Sequence, residues 1–119
     1  MKQTQDQQRK FNLFVKECKR WQPILAAEYD VEYRLVDPAE DTFYAQVTND
    51  ISAGTALIEL NVNRLDECLD KSVCRTAFEE IAHLLLKEYR WVSSAFIAET
   101  FIDAIEHRII NKLKTHLIK

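Results

Sequence analysis

The amino-acid sequence predicts an α+β domain: a small three-stranded, mostly antiparallel sheet packed on helices, in the order α-β-β-β-α-α. Three observations carry this expectation. Residues 30–62 hold three short segments in which apolar and polar residues alternate, the mark of half-buried strands. The segments on either side repeat their apolar residues at i, i+3, i+4 and i+7, the mark of helices. The chain has 119 residues but only one Gly and two Pro, too few for a protein built from tight turns.

The first helix is expected from about Gln5 to Arg20. Phe11, Phe14, Val15 and Cys18 fall on one face, and Trp21 and Pro23 should end it. The first strand is expected over Asp30 to Val36, where Val31, Tyr33 and Leu35 alternate with Glu32 and Arg34. The second runs from Phe43 to Thr48, with Phe43, Ala45 and Val47 on one face. The third runs from Ala56 to Val62, with Ala56, Ile58, Leu60 and Val62 together. Asn49, Asp50, Ser52 and Gly54 supply a turn between the last two, which therefore pair as an antiparallel hairpin. A second helix should begin near Ser72, with Asp70 or Ser72 as N-cap, and reach about Arg90. A third should begin after Ser93 or Ser94 and continue almost to the C-terminus on an apolar stripe of Ala98, Phe101, Ile102, Ile105, Ile109 and Leu113. Phe11, Phe14, Trp21, Tyr33, Phe43, Phe78, Tyr89, Trp91 and Phe101 read as core.

Length and composition fit a single domain over residues 1–119. Apolar residues are 47% of the chain and charged residues 29%, enough for a core and too well mixed for disorder. Residues 1–10 are polar and Gln-rich, which excludes a secretory signal there. No apolar run approaches the ~20 residues that cross a bilayer, so no membrane span is expected. Cys18, Cys68 and Cys74 have no metal or redox spacing and read as reduced thiols of a cytoplasmic protein.

The net charge of −3 is unevenly distributed. Residues 1–20 carry six basic and two acidic side chains; residues 107–119 carry four basic and no acidic ones. The middle, residues 21–106, carries six basic and seventeen acidic ones. That middle could hold a cation. The basic ends are sparse for a nucleic-acid footprint and read as solvated helix faces, so nucleic acid is not an expected partner.

The chemistry-bearing segment is Arg75-Thr76-Ala77-Phe78-Glu79-Glu80-Ile81-Ala82-His83-Leu84-Leu85-Leu86. On a helix, Glu79 and His83 share a face, and Glu80 lies about 100° round from Glu79. Two ligands four residues apart with a carboxylate between them is the geometry of the His-Glu-x-x-His zinc motif, here with Glu79 at the first position. Taken alone, the same spacing also describes a solvated face. Arg75, Glu79, His83 and Lys87 recur every four residues, and an exposed Arg75–Glu79 pair would be worth only ~0.3–0.5 kcal/mol.

The segment and its setting resemble the small metallopeptidase-like proteins, many phage-encoded, that look like minimal gluzincins. The resemblance lies in the early Trp21, the short sheet, the helix from Arg75 to Leu86 and the long last helix. It implies that His83 is the second metal ligand and Glu80 the general base acting on a metal-bound water. Glu79 would occupy the first ligand position, where the family has His. The third ligand should come from the last helix, where Glu99, Asp103 and Glu106 are candidates on one face; Glu106 is the first choice, and Asp103 is the runner-up or else a supporting partner. The resemblance also gives the strand Ala56 to Val62 the role of an edge that binds peptide by strand addition.

With two carboxylates and one imidazole on a divalent cation, the metal's charge is largely cancelled. A bound water would then titrate above the ~7 of good catalytic zinc sites. Zinc could give way to a harder ion such as manganese. Peptide hydrolysis would be weak or absent, leaving a pseudo-enzyme. Without metal, the carboxylates would crowd His83 and need Arg75 or Lys87 to neutralise them. The alternative reading is a non-catalytic interaction protein of phage or mobile-element origin that binds a peptide or protein partner. A third borrows from the DNA–protein-crosslink proteases, with the basic ends touching nucleic acid; the acidic middle opposes it. His107 and His116 read as surface residues, and nothing draws Cys68 or Cys74 to a metal.

Overall fold

A computed structural model describes residues 2–40, 42–93 and 99–118. Helix α1 spans Gln5–Leu25, strand β1 Asp30–Val36, β2 Ala45–Asp50 and β3 Thr55–Asn61. A short 3-10 turn over Val62–Glu67 leads to α2, Asp70–Ser93, and α3 spans Glu99–Leu117. The α+β class and the order of elements follow the sequence expectation.

A capping box starts α1. The Thr4 side chain accepts from the Gln7 backbone N–H at 3.0 Å, and the Gln7 side chain accepts from the Thr4 N–H at 2.9 Å, satisfying two donors that a helix start leaves open. The helix does not stop at Arg20: it continues through Trp21 and Pro23 to Leu25. A proline in the last turn forfeits only one backbone bond. Continuing the helix keeps Trp21 and Leu25 on the buried stripe with Phe14 and Cys18. Trp21 meets Phe78 of α2 edge-on, with ring centroids 5.0 Å apart, and the Cys18 thiol donates to the Ala77 carbonyl. These contacts make the α1–α2 seam the main body of the core.

The sheet order is β1-β3-β2. β2 and β3 pair antiparallel, as the turn residues indicate, with Val47 opposite Ile58. β1 and β3, however, pair parallel, with Tyr33 opposite Ile58. The sheet is therefore mixed rather than mostly antiparallel. It also follows that the segment expected to be a peptide-binding edge is the central strand, hydrogen-bonded on both sides. Alternation tells which face of a strand is buried but not which strands flank it. The buried face of β3 is as expected: Ala56, Ile58 and Leu60 point into the core. Asn61 ends β3. Its side chain accepts from the Asn63 N–H at 2.9 Å and donates to the Phe43 carbonyl at 2.8 Å.

Neither Asp70 nor Ser72 caps α2. Asp70 is its first residue, and its carboxylate takes both terminal nitrogens of Arg9 at 3.0 and 3.1 Å, tying the two helix starts together. That pairing holds the Asp70 carboxyl below its ordinary range, and a negative charge in a first turn suits the helix dipole. On α3, Ile102, Glu106 and Ile110 are the buried positions, with Ile105, Ile109 and Leu113 half-buried. Of the expected stripe, Ala98 lies outside the described residues, as does Ser94. The side chains of Tyr89, Trp91, Glu99 and Phe101 do too. No helix among the described residues is long and apolar enough to cross a membrane.

Candidate functional site

The face of α2 opposite α1 meets α3, and their polar pairs occur in reverse order along the two helices, so the helices run antiparallel. Glu79 pairs with Lys114, His83 with Glu106, and Arg90 with Asp103 and Glu106. The periodicity behind this is simple. His83 and Arg90 are two turns apart on α2, as are Glu106 and Lys114 on α3, so each helix presents an aligned polar row.

Glu106 is the centre of the arrangement. It stands in the buried stripe between Ile102 and Ile110, and its side chain is only 6% exposed. One carboxylate oxygen lies 2.5 Å from His83 Nδ1. The other accepts from Arg90 Nη1 at 2.8 Å, and the same nitrogen also bonds Asp103. A carboxylate with charge-assisted bonds on both oxygens is an acceptable buried charge, whereas an unpaired one would not be.

An open pocket of about 350 Å³ lies over this network. Ala45 and Val47 of β2 form one wall; Glu80, His83, Lys87 and Arg90 of α2 form the floor; Asp103, Glu106 and His107 of α3 close it. Glu80 is half-buried here, and burial raises its carboxyl above the ordinary value. The charge of Glu79 adds to the rise, while His83 and Lys87 oppose it. His107 is exposed, but its ring stands edge-on to His83 with centroids 6.4 Å apart, which puts it on the rim of the site. Glu80 also contributes, after burial itself, to keeping the Cys18 thiol well above its ordinary value, so that buried thiol is a poor nucleophile.

The expected ligands are thus divided. His83 and Glu106 come together, and Asp103 joins them through Arg90. Glu79 is engaged elsewhere, 2.8 Å from Lys114. The neutralising cations are Arg90 and Lys114 instead of Arg75 and Lys87. Lys87 does line the pocket, but Arg75 lines a different cavity beside Lys114. Among the described residues, no three His, Cys, Asp or Glu side chains are grouped to hold a metal ion. As arranged, the donor set does not fit a divalent cation: both oxygens of Glu106 are committed, one of them to a guanidinium that would repel the ion. Two signals for Arg90 and Lys114 are present in the sequence. Each lies seven or eight residues from an expected site residue and so on its face of the helix. His116 is exposed on α3 away from this pocket, and Cys68 and Cys74 do not line it. Cys18, Cys68 and Cys74 are all free.

No family model matches the chain, and neither a curated protein nor a solved structure was found to match it.

Proposed function

We propose that the chain is a metallopeptidase-like pseudo-enzyme, a cytoplasmic accessory protein that binds a peptide or protein partner without cleaving it. The observation that supports this reading is the Arg90–Glu106–His83 chain. The carboxylate best placed to serve as a metal ligand is instead the buried acceptor of a structural ion pair. Without a metal to polarise a water, Glu80 has no strong acid to work with, and its raised carboxyl is a consequence of burial.

The binding half of the reading moves from β3 to β2. Among the described residues β2 pairs only with β3, and Ala45 and Val47 form a wall of the pocket. An extended peptide added to the outer side of β2 would gain backbone hydrogen bonds and place alternate side chains towards His83, Lys87 and His107.

Equilibrium dialysis against zinc and manganese, with a peptidase screen of wild type and E80Q, tests the proposal. The expected result is no stoichiometric metal and no hydrolysis that E80Q removes, together with peptide binding insensitive to chelator. Hydrolysis abolished both by chelator and by E80Q would overturn it.

A further inference from the structure

We infer that Arg90 is a built-in cation that keeps divalent metal out of the cluster of His83, Asp103 and Glu106, so that neutralising position 90 opens these three donors to zinc or manganese. The inference rests on the reading that the site no longer works as a metal centre, and it names the residue responsible.

The geometry is specific. Arg90 Nη1 is shared between Asp103 and one oxygen of Glu106, while the other oxygen of Glu106 lies 2.5 Å from His83 Nδ1. Two carboxylates therefore already share one positive group, with an imidazole nitrogen against the far oxygen of one of them, and the three donors belong to the chemical types that bind borderline and hard divalent ions. Glu80 lines the same pocket and could supply a fourth oxygen. The donors come from two packed helices, so their spacing is set by the α2–α3 seam and not by a loop.

A guanidinium is the strongest guard this position could have. It stays charged at any working pH, and its fixed fork bonds carboxylates well. Its own pairing with Asp103 and Glu106 favours the charged form still further. An incoming cation would have to displace it from both carboxylates while approaching a like charge in a partly buried site. Lys87, also in the pocket, adds to that repulsion. Charge, not bulk, is the argued cause, which separates two substitutions. Arg90→Gln removes the charge and leaves Asp103 and Glu106 short of a counter-ion. Arg90→Lys keeps the charge and loses only the fork.

The test is titration of wild type, R90Q, R90K and R90Q/H83A with zinc and with manganese, read by calorimetry and by thermal shift. R90Q should bind one ion at least about tenfold more tightly than wild type, with a metal-dependent rise in melting temperature. R90K and R90Q/H83A should stay close to wild type. If R90Q does not fold alone, refolding in the presence of zinc decides the matter: zinc-dependent folding that R90Q/H83A lacks supports the inference. A folded R90Q that ignores both metals, or refolding indifferent to zinc, overturns it while leaving the proposed function standing. Wild type binding metal as tightly as R90Q overturns the inference and the proposed function together.

Discussion

Glu106 shares its two carboxylate oxygens between His83 Nδ1 and Arg90 Nη1, at 2.5 and 2.8 Å, from a side chain that is 6% exposed. Its two partners are more open, at 28% and 26%. Removing one member of a buried pair strands the others, at a cost of about 3–5 kcal/mol when all are buried. Because water reaches His83 and Arg90, E106A should lose less, about 1–3 kcal/mol of unfolding free energy. Urea denaturation measures this. H83A and E106A should also be non-additive in a double-mutant cycle, since the two side chains touch. Full additivity would mean that the contact contributes nothing.

Glu80 gives the site a pH dependence of definite sign. Its carboxyl is raised in the folded protein above the ordinary 4.5, mainly by burial and secondarily by the nearby Glu79 charge, against the pull of His83 and Lys87. A raised carboxyl means that folding favours the protonated form. Its contribution is intact below the unfolded value and is lost as pH rises through the folded value. E80Q removes that loss. It should therefore be more stable than wild type at neutral pH, with the advantage shrinking towards pH 4. Denaturation of both proteins across this range checks it; a constant difference would refute the burial argument. Asp6 and Asp70 act in the opposite sense. Arg9 holds both below the ordinary range, and Lys10 also lowers Asp6. Their contribution is present above the ordinary carboxylate value and is lost as pH falls from there through the lower folded values.

Gly54 closes the turn between β2 and β3 at φ +67°, and its carbonyl accepts from the Asp30 N–H at 2.8 Å. A Cβ at this position would meet only the Glu28 carbonyl, at an ordinary 3.5 Å. The obstacle to a side chain is thus the left-handed backbone and not a clash. G54A should cost about 1 kcal/mol, and G54N less, because Asn tolerates this conformation. Thermal melts of the two variants rank them; equal losses would point to a cause other than backbone conformation.

What is legible in the sequence is local. Val31, Tyr33 and Leu35 mark β1 by alternation alone, and Asp50 to Gly54 mark the hairpin turn. The preference for Glu106 over Glu99 and Asp103 rests on the family resemblance; its place in the buried row with Ile102 and Ile110 is seen only in the fold. What is not legible is pairing across distance. The parallel partnership of Asp30–Val36 with Thr55–Asn61 leaves no trace in either segment, because each presents the same alternating face whatever strand lies beside it. The spacing of Arg90 and Lys114 places each on the face of a site residue, but their pairing escapes for a related reason. Each looks like a solvated cation until the opposite helix brings a carboxylate to it. Pro23 misleads because a proline stops a helix in its interior but costs little in a final turn that Trp21 and Leu25 anchor.

The central place of β3 makes a last, topological prediction. Ile58 is fully buried, with Tyr33 on one side and Val47 on the other. I58A should therefore open a cavity that no neighbour can fill, because both flanking strands are fixed by backbone ladders. The expected loss is about 2–4 kcal/mol, in the range of large-to-small core substitutions. Val47 occupies the outer strand, is half-buried and faces the open pocket. V47A leaves a space that water enters, so its loss should stay near ~1 kcal/mol. Urea melts decide between this sheet order and one with β3 outermost. In the latter case the order of the two losses would reverse, and Ile58 rather than Val47 would tolerate truncation.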